Sequence, residues 1–224
     1  MTSHPINITY KPPLTPYLTV VYRDDDFLVL DKPSGLLSVP ARDPALSDSL
    51  ATRVRRQFPQ AEMINRLDMD TSGLILMSLN KPAHAAISRQ FENRTTQKLY
   101  SAIVWGHMQD DAGMIDQPLA GDAENKPRHR VDPIHGRPSQ TKWEVVERLA
   151  QTPAATRLRL IPLTGRTHQL RVHMKFIGHP ILGDSFYADG EALAAAPRLM
   201  LHAEYLGFTH PDGRDVSFTV PCPF

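Results

Sequence analysis

The chain has 224 residues, 41% hydrophobic and 22% charged, with a formal net charge of +1. That length suits one large domain or two small ones with a substantial core, and the composition is that of an ordinary soluble globular protein. No apolar run approaches a membrane span and no signal core opens the chain; the single cysteine, Cys222, excludes an internal disulfide or a cysteine-rich metal site and fits a reducing cytoplasm.

Residues 1–17 are rich in Pro, Thr and Tyr without a period and read as an extended N-terminal arm. Leu18–Arg23 and Phe27–Asp31 are apolar, β-branched runs broken by Asp24-Asp25-Asp26, which predicts a hairpin closed by Lys32-Pro33-Ser34-Gly35. Ser47 is the expected cap of a helix through about Phe58, with Leu50, Val54 and Phe58 on one face. Gly73–Leu79 reads as a buried strand. Asn80 can cap the following helix, with Pro82 in its first turn, Ala83, Ile87 and Phe91 inward, and an end near Arg94.

Lys98–Trp105 alternates as a strand, whereas residues 106–138 look irregular. Thr141–Arg148 and Thr156–Ile161 are expected as paired strands. His168–Ile177 has a helical pattern, stopped by Gly178 and Pro180, and Thr167 could cap it. Leu199–Phe208 and Val216–Val220 close the chain as strands. Strands outnumber helices and look hairpin-connected, so an α+β fold is expected: a largely antiparallel or mixed sheet with helices packed on it.

Basic residues cluster at Arg53/Arg55/Arg56, at Lys126/Arg128/His129/Arg130 and at Arg166/Arg171/Lys175. Taken singly, each cluster reads as a solvated face; together they could serve phosphate contact. The richest chemistry lies in Arg66-Leu67-Asp68-Met69-Asp70-Thr71-Ser72-Gly73, where a carboxylate stands beside an arginine at the mouth of a strand. By itself Asp68 is better explained as a turn aspartate that caps backbone N–H groups. A second reading takes Asp68 and Asp70 as the paired aspartates of a haloacid-dehalogenase-type phosphatase. Asn65-Arg66 interrupts the strand that such a pair requires, and an arginine would compete with magnesium.

The histidines His168/His173 and His202/His210 lack the i, i+4 spacing of a helical zinc pair and read as structural. In Gly165-Arg166-Thr167-His168-Gln169-Leu170-Arg171, the helix start favours anions. Arg171 and Lys175 form either a plain basic face or, more pointedly, a face from which Arg171 enters a cleft and pairs with Asp68, holding it ionised.

Taken in order, these segments resemble the RluA family of pseudouridine synthases. The resemblance covers about residues 18–224: Asp31–Gly35, Arg66-Leu67-Asp68 with Thr71-Ser72-Gly73, Gln97–Tyr100 with Ala102, Gly165–Arg171, Gly178–Asp184, and Leu201-His202-Ala203. It implies a sheet split by a catalytic cleft, with catalytic Asp68, an active-site Tyr100 and Arg171 as the basic partner. It also implies Leu201 as a wall of the base pocket, and no metal or organic cofactor. Arg66 is assigned to the space vacated by a flipped base or to a neighbouring phosphate, and Arg166 and His168 to substrate binding.

Many relatives carry an N-terminal S4 module. The blocks here start near residue 18 and leave no room for one, as in the short members that modify 23S rRNA and the tRNA anticodon stem-loop. The expectation is therefore a single catalytic domain over 18–224, acting on tRNA and 23S rRNA as a cytoplasmic monomer. A non-catalytic RNA-binding protein on the same scaffold is the alternative. Asn65 departs from the histidine most relatives place before Arg-Leu-Asp; asparagine cannot titrate near neutral pH, so an orienting role and an active protein are expected.

Overall fold

A computed structural model of the chain describes residues 10–150 and 152–224; residues 1–9 of the expected arm lie outside them. The described part of the arm is fastened to the body. The Tyr10 hydroxyl donates to the Asp48 carbonyl at 2.7 Å and accepts from the Leu37 N–H, and the Arg53 guanidinium lies over the Tyr17 ring.

Strands β1 (Val20–Arg23) and β2 (Phe27–Lys32) form the expected antiparallel hairpin. Asp24 closes its turn by accepting the Asp26 and Phe27 N–H groups. Helix α1 (Leu50–Arg55) is capped by Ser49 rather than Ser47. Ser47 is already committed: its N–H closes a short 3-10 turn, Pro44–Leu46, which Asp43 caps. Strand β3 (Glu62–Met63) precedes β4 (Ser72–Ser78), which is buried along its whole length. Helix α2 (Lys81–Asn93) starts at the Asn80 cap with Pro82 in its first turn, and Arg94 ends it in the left-handed region.

Strand β5 (Gln97–Trp105) is as expected, but the stretch read as irregular carries three short strands: β6 (Ala112–Asp116), β7 (Leu119–Gly121) and β8 (His129–Val131). Their stability comes from pairing rather than from local pattern. Gly113 faces Trp143 across the β6 pairing, and a Cβ there would collide with the indole. Strands β9 (Gln140–Leu149) and β10 (Ala155–Pro162) pair antiparallel, and helices α3 (Gln169–Phe176) and α4 (Gly190–Ala194) follow. Strands β11 (Leu201–Thr209) and β12 (Asp215–Thr219) close the chain.

The large sheet runs β1-β2-β4-β11-β5-β10-β9-β6, with β3 added on β4 and β12 on β11, while β7 and β8 form a separate two-stranded ribbon. Every pairing is antiparallel except β4 with β11, where Ser72 and Gly73 stand opposite His202 and Ala203. That short parallel seam joins the two halves of the molecule. It needs Gly73, whose φ is 109° and whose missing Cβ lets the Ala203 backbone approach.

On one half, α1 packs Leu50 and Val54 against Leu28, Leu30, Ile75 and Met77, while α2 covers the other face at Phe27, Val29, Leu74 and Leu76. On the second half, Leu170 and Met174 of α3 pack on Ala102, Val104, Leu158 and Leu160. Tyr100 touches the α1 core and the α3 core alike, so it sits where the halves meet.

Candidate active site

The loop carrying Asp68 leads directly into β4 and is tied down by its own backbone. Ser38 clamps Leu67 twice, its hydroxyl donating to the Leu67 carbonyl at 2.6 Å and accepting the Leu67 N–H at 3.1 Å. Gly35 N–H and the Lys32 ammonium both donate to the Met69 carbonyl, and the Ser34 hydroxyl donates to that of Asp70. Lys32 is fully buried and also donates to the Pro33 and Leu36 carbonyls; burial pulls its ammonium down to about 7. Residues 32–38 are therefore the bracket that holds the carboxylate loop. Asn65 lies at the loop's entry, where its Oδ1 accepts the Leu76 N–H at 2.8 Å. That bond orients the chain and asks for no proton transfer.

Across the cleft, α3 supplies Arg171. Its Nη1 donates to Asp68 Oδ2 at 3.2 Å. Its stronger attachment is to Asp184, with Nε and Nη2 gripping the two carboxylate oxygens at 2.8 and 2.7 Å. The Asp184 side chain is 0% exposed and that of Arg171 3%, against 26% for Asp68. Asp184 also accepts the Phe186 and Tyr187 N–H groups, and the guanidinium lies over the Phe186 and Tyr187 rings at 5.0 and 5.2 Å. Arg171 is thus a rigid strut: its charge is met mainly by Asp184, and one remaining N–H points at Asp68.

Tyr100 projects from β5 at the junction of the two halves, and burial together with the Asp68 carboxylate pushes its phenol well above the usual range. It remains a neutral phenol at any physiological pH. Leu201, 3% exposed, stands opposite Ala102 on the neighbouring strand and belongs to the same apolar cluster that Tyr100 packs against. His168 brings Nε2 to 3.9 Å from Asp68 Oδ2 and places Nδ1 2.7 Å from the Tyr187 hydroxyl.

The structure sets Arg171 and His168 against Asp68, places Tyr100 near enough to feel its charge, and puts Leu201 in the apolar cluster that Tyr100 packs on. Arg66 is exposed, and Arg166 directs Nε to the Pro138 carbonyl at 3.4 Å; neither makes a salt bridge to Asp68 among the described residues. Two local expectations need correction. Thr167 does not cap α3: His168 occupies the cap position in the left-handed region, with φ 55° and no side-chain cap bond. Arg171 and Lys175 do not share a basic face either, since Arg171 is buried and Lys175 exposed. The first residue of α3 instead braces the loop before it, with Gln169 Oε1 accepting the Arg166 N–H and the Thr164 hydroxyl. His173 is structural, bonded to Thr141 and the Gln117 carbonyl. The phosphatase reading has to contend with Arg171 and Lys32, both of which press positive charge on Asp70.

Asp184, Tyr187 and Lys32 were not singled out as site residues from sequence. The signal for Asp184 is a matter of charge: an arginine on the inward face of a short helix must find a carboxylate, and Gly183-Asp184 follows shortly after that helix ends.

Burial pulls the His168 imidazole down to about 4, against a weaker opposing pull from Asp68. Its unfolded value is about 6.5, so between those limits the unfolded chain binds more protons and stability falls as pH drops. The wild type should lose on the order of 5 °C of melting temperature relative to a His168→Gln variant between pH 6.5 and 4. Parallel melting curves for the two proteins would refute this.

The chain has relatives among known proteins. The family model described as RNA pseudouridylate synthase matches residues 26–176. The chain is 51% identical over 216 residues to the dual-specificity RNA pseudouridine synthase RluA of Escherichia coli K12, covering 96% of this chain and 98% of that one. Against the protein of the same name in Vibrio vulnificus it is 48% identical over 220 residues, covering 97% and 88%. Among solved structures, human RNA pseudouridylate synthase domain containing 1 superposes with a TM-score of 0.80 at 33% identity, over 96% of this chain and 87% of that one. The family match takes in the loop of Asp68, the strand of Tyr100 and the helix of Arg171, and the RluA relatives match it along almost their whole length. This chain therefore belongs to the RNA pseudouridylate synthase family.

Proposed function

We propose that this protein converts uridine to pseudouridine in a tRNA anticodon stem-loop and in a 23S rRNA hairpin, with Asp68 as the reactive carboxylate. The observation that carries the reading is the seating of Asp68: its loop is bracketed by residues 32–38, and its side chain is partly open in the cleft and met by one N–H of an arginine that Asp184 already holds. A carboxylate so placed is oriented and still open to a substrate. The RluA relatives are described as dual-specificity RNA pseudouridine synthases, which supports a reading with two substrates. The single catalytic domain spans 18–224 and acts as a cytoplasmic monomer.

A stacked uridine cannot reach the cleft, so it is turned out of its stack at a cost of a few kcal/mol, less in a loop than in a duplex. Tyr100 and Leu201 offer the apolar walls against which the uracil rests, a stacking contact worth about 1–3 kcal/mol. Exposed Arg66 fills the vacated space or meets a phosphate, and Arg166 serves the backbone nearby. Asp68 begins the reaction by attacking the nucleoside or by taking a sugar proton. The bond from ribose C1′ to N1 breaks, the base turns, C1′ joins C5, the C5 proton leaves and N1 gains one. Atoms and electrons balance without a co-reactant.

The specificity is tested by mapping pseudouridines in tRNA and 23S rRNA from cells lacking the gene and from the same cells complemented. Sites in both RNAs that vanish and return are expected; loss in neither would overturn the reading. Asn65→His is expected to leave turnover within about threefold, whereas a rise of about a hundredfold, the scale of general acid–base catalysis, would show that this position exchanges a proton.

A further inference from the structure

His168 is held in an unusual way for a residue at the mouth of a helix. Its backbone is left-handed, with φ 55°, its ring packs edge-on to Tyr187 at 5.6 Å, and Phe186 and His129 flank it at 5.5 and 5.4 Å. The decisive contact is with the Tyr187 hydroxyl, which has two close partners: the backbone N–H of His129 at 2.8 Å and His168 Nδ1 at 2.7 Å. The backbone amide can only donate, so the hydroxyl accepts from it. Tyr187 is 5% exposed, so its hydroxyl proton needs an acceptor inside the protein, and among the described residues Nδ1 is the one beside it. An imidazole that accepts at Nδ1 and is neutral carries its proton on Nε2. Nε2 is the atom that faces Asp68, at 3.9 Å from Oδ2. That gap is too long for a direct hydrogen bond and leaves the N–H free for a third atom.

We propose that Tyr187 is a positioning residue that locks His168 in its Nε2–H form and so presents a fixed, uncharged donor to an oxygen of the flipped nucleoside beside Asp68. The β7–β8 ribbon takes part through the His129 amide, so one chain of hydrogen bonds joins the ribbon to the ring whose other nitrogen faces Asp68. The electrostatics agree: burial holds His168 down at about 4, hence neutral, and pushes the Tyr187 phenol up to about 12, hence a donor. A neutral donor does not quench the neighbouring carboxylate as an imidazolium would. The catalytic half of the proposal rests on the isomerase reading above; the tautomer does not.

The test begins with protein labelled with nitrogen-15 in histidine, in which long-range proton–nitrogen correlation spectra report the tautomer directly. His168 should appear with its proton on Nε2 near pH 7. An Nδ1–H form or an imidazolium would overturn the proposal whether or not the protein isomerises uridine. Tyr187→Phe keeps the ring under Arg171 and removes only the hydroxyl. It should mix the two tautomers and lower the single-turnover rate about tenfold, the scale of one lost hydrogen bond, with RNA Kd within about twofold. A shifted tautomer with an unchanged rate would refute the catalytic half.

Two substitutions at 168 guard against misfolding of that variant. Glutamine places an N–H near the position of Nε2; asparagine places it near Nδ1, although asparagine suits the left-handed backbone better. His168→Gln should retain more activity than His168→Asn. The reverse order would mean that the backbone, not the donor, is what position 168 supplies.

Discussion

Asp68→Asn is expected to lower single-turnover pseudouridine formation by more than about four orders of magnitude while leaving RNA Kd within about threefold. Asparagine keeps the size of the side chain, and its Oδ1 can still accept from Arg171 Nη1. The grip of Asp184 on Arg171 does not depend on position 68, so the cleft keeps its shape. What disappears is the negative oxygen that either attacks the nucleoside or takes its proton. Affinity survives because RNA is held mainly through phosphates and stacked bases. Rapid-quench measurement of product alongside filter-binding titrations separates the two quantities. Measurable turnover in a preparation free of wild-type enzyme would remove the assignment.

Arg171→Ala should damage stability and activity together. The sequence alone places the damage at Asp68, but the structure places most of it at Asp184, whose fully buried carboxylate would keep only the Phe186 and Tyr187 N–H groups. Breaking a buried pair from one side costs about 3–5 kcal/mol, because a charge is left behind without its partner. Turnover should fall by at least about a hundredfold, since Asp68 loses its orienting donor as well. Urea denaturation measures the first effect. An Arg171→Ala/Asp184→Ala double variant should recover part of the lost stability, since no lone charge remains buried. Equal or greater loss in the double variant would show that the pair is not the strut described here.

How much of this was legible in the sequence depends on how local the determining forces are. The β1–β2 hairpin, β4, α2 with its Asn80 cap, and the β9–β10 pair each carry their signal within a few residues, as turn chemistry, an unbroken apolar run or a capping side chain. Strands β6, β7 and β8 do not: they are short and exist because partners lie beside them, as Gly113 does against Trp143. The start of α1 was misplaced because two serines compete for the cap and a neighbouring aspartate decides which is free. At the site, the resemblance pointed to Asp68, Tyr100 and Arg171, and the geometry bonds Arg171 to Asp68 and sets Tyr100 within reach of that carboxylate's charge. The anchor Asp184 left only the trace of an inward arginine in need of a carboxylate, and the Tyr187 hydroxyl left none, because their roles follow from contacts between α3 and the segment behind it.

The central claim is that a uridine loses its C5 proton in the cleft of Asp68. A tRNA transcript carrying tritium at uridine C5 measures that loss directly. Tritium should pass into water in step with pseudouridine formation, with release by wild-type protein and none by the Asp68→Asn variant. Tight RNA binding without tritium release from any tRNA or 23S rRNA hairpin would mean that this scaffold holds RNA and performs no isomerisation.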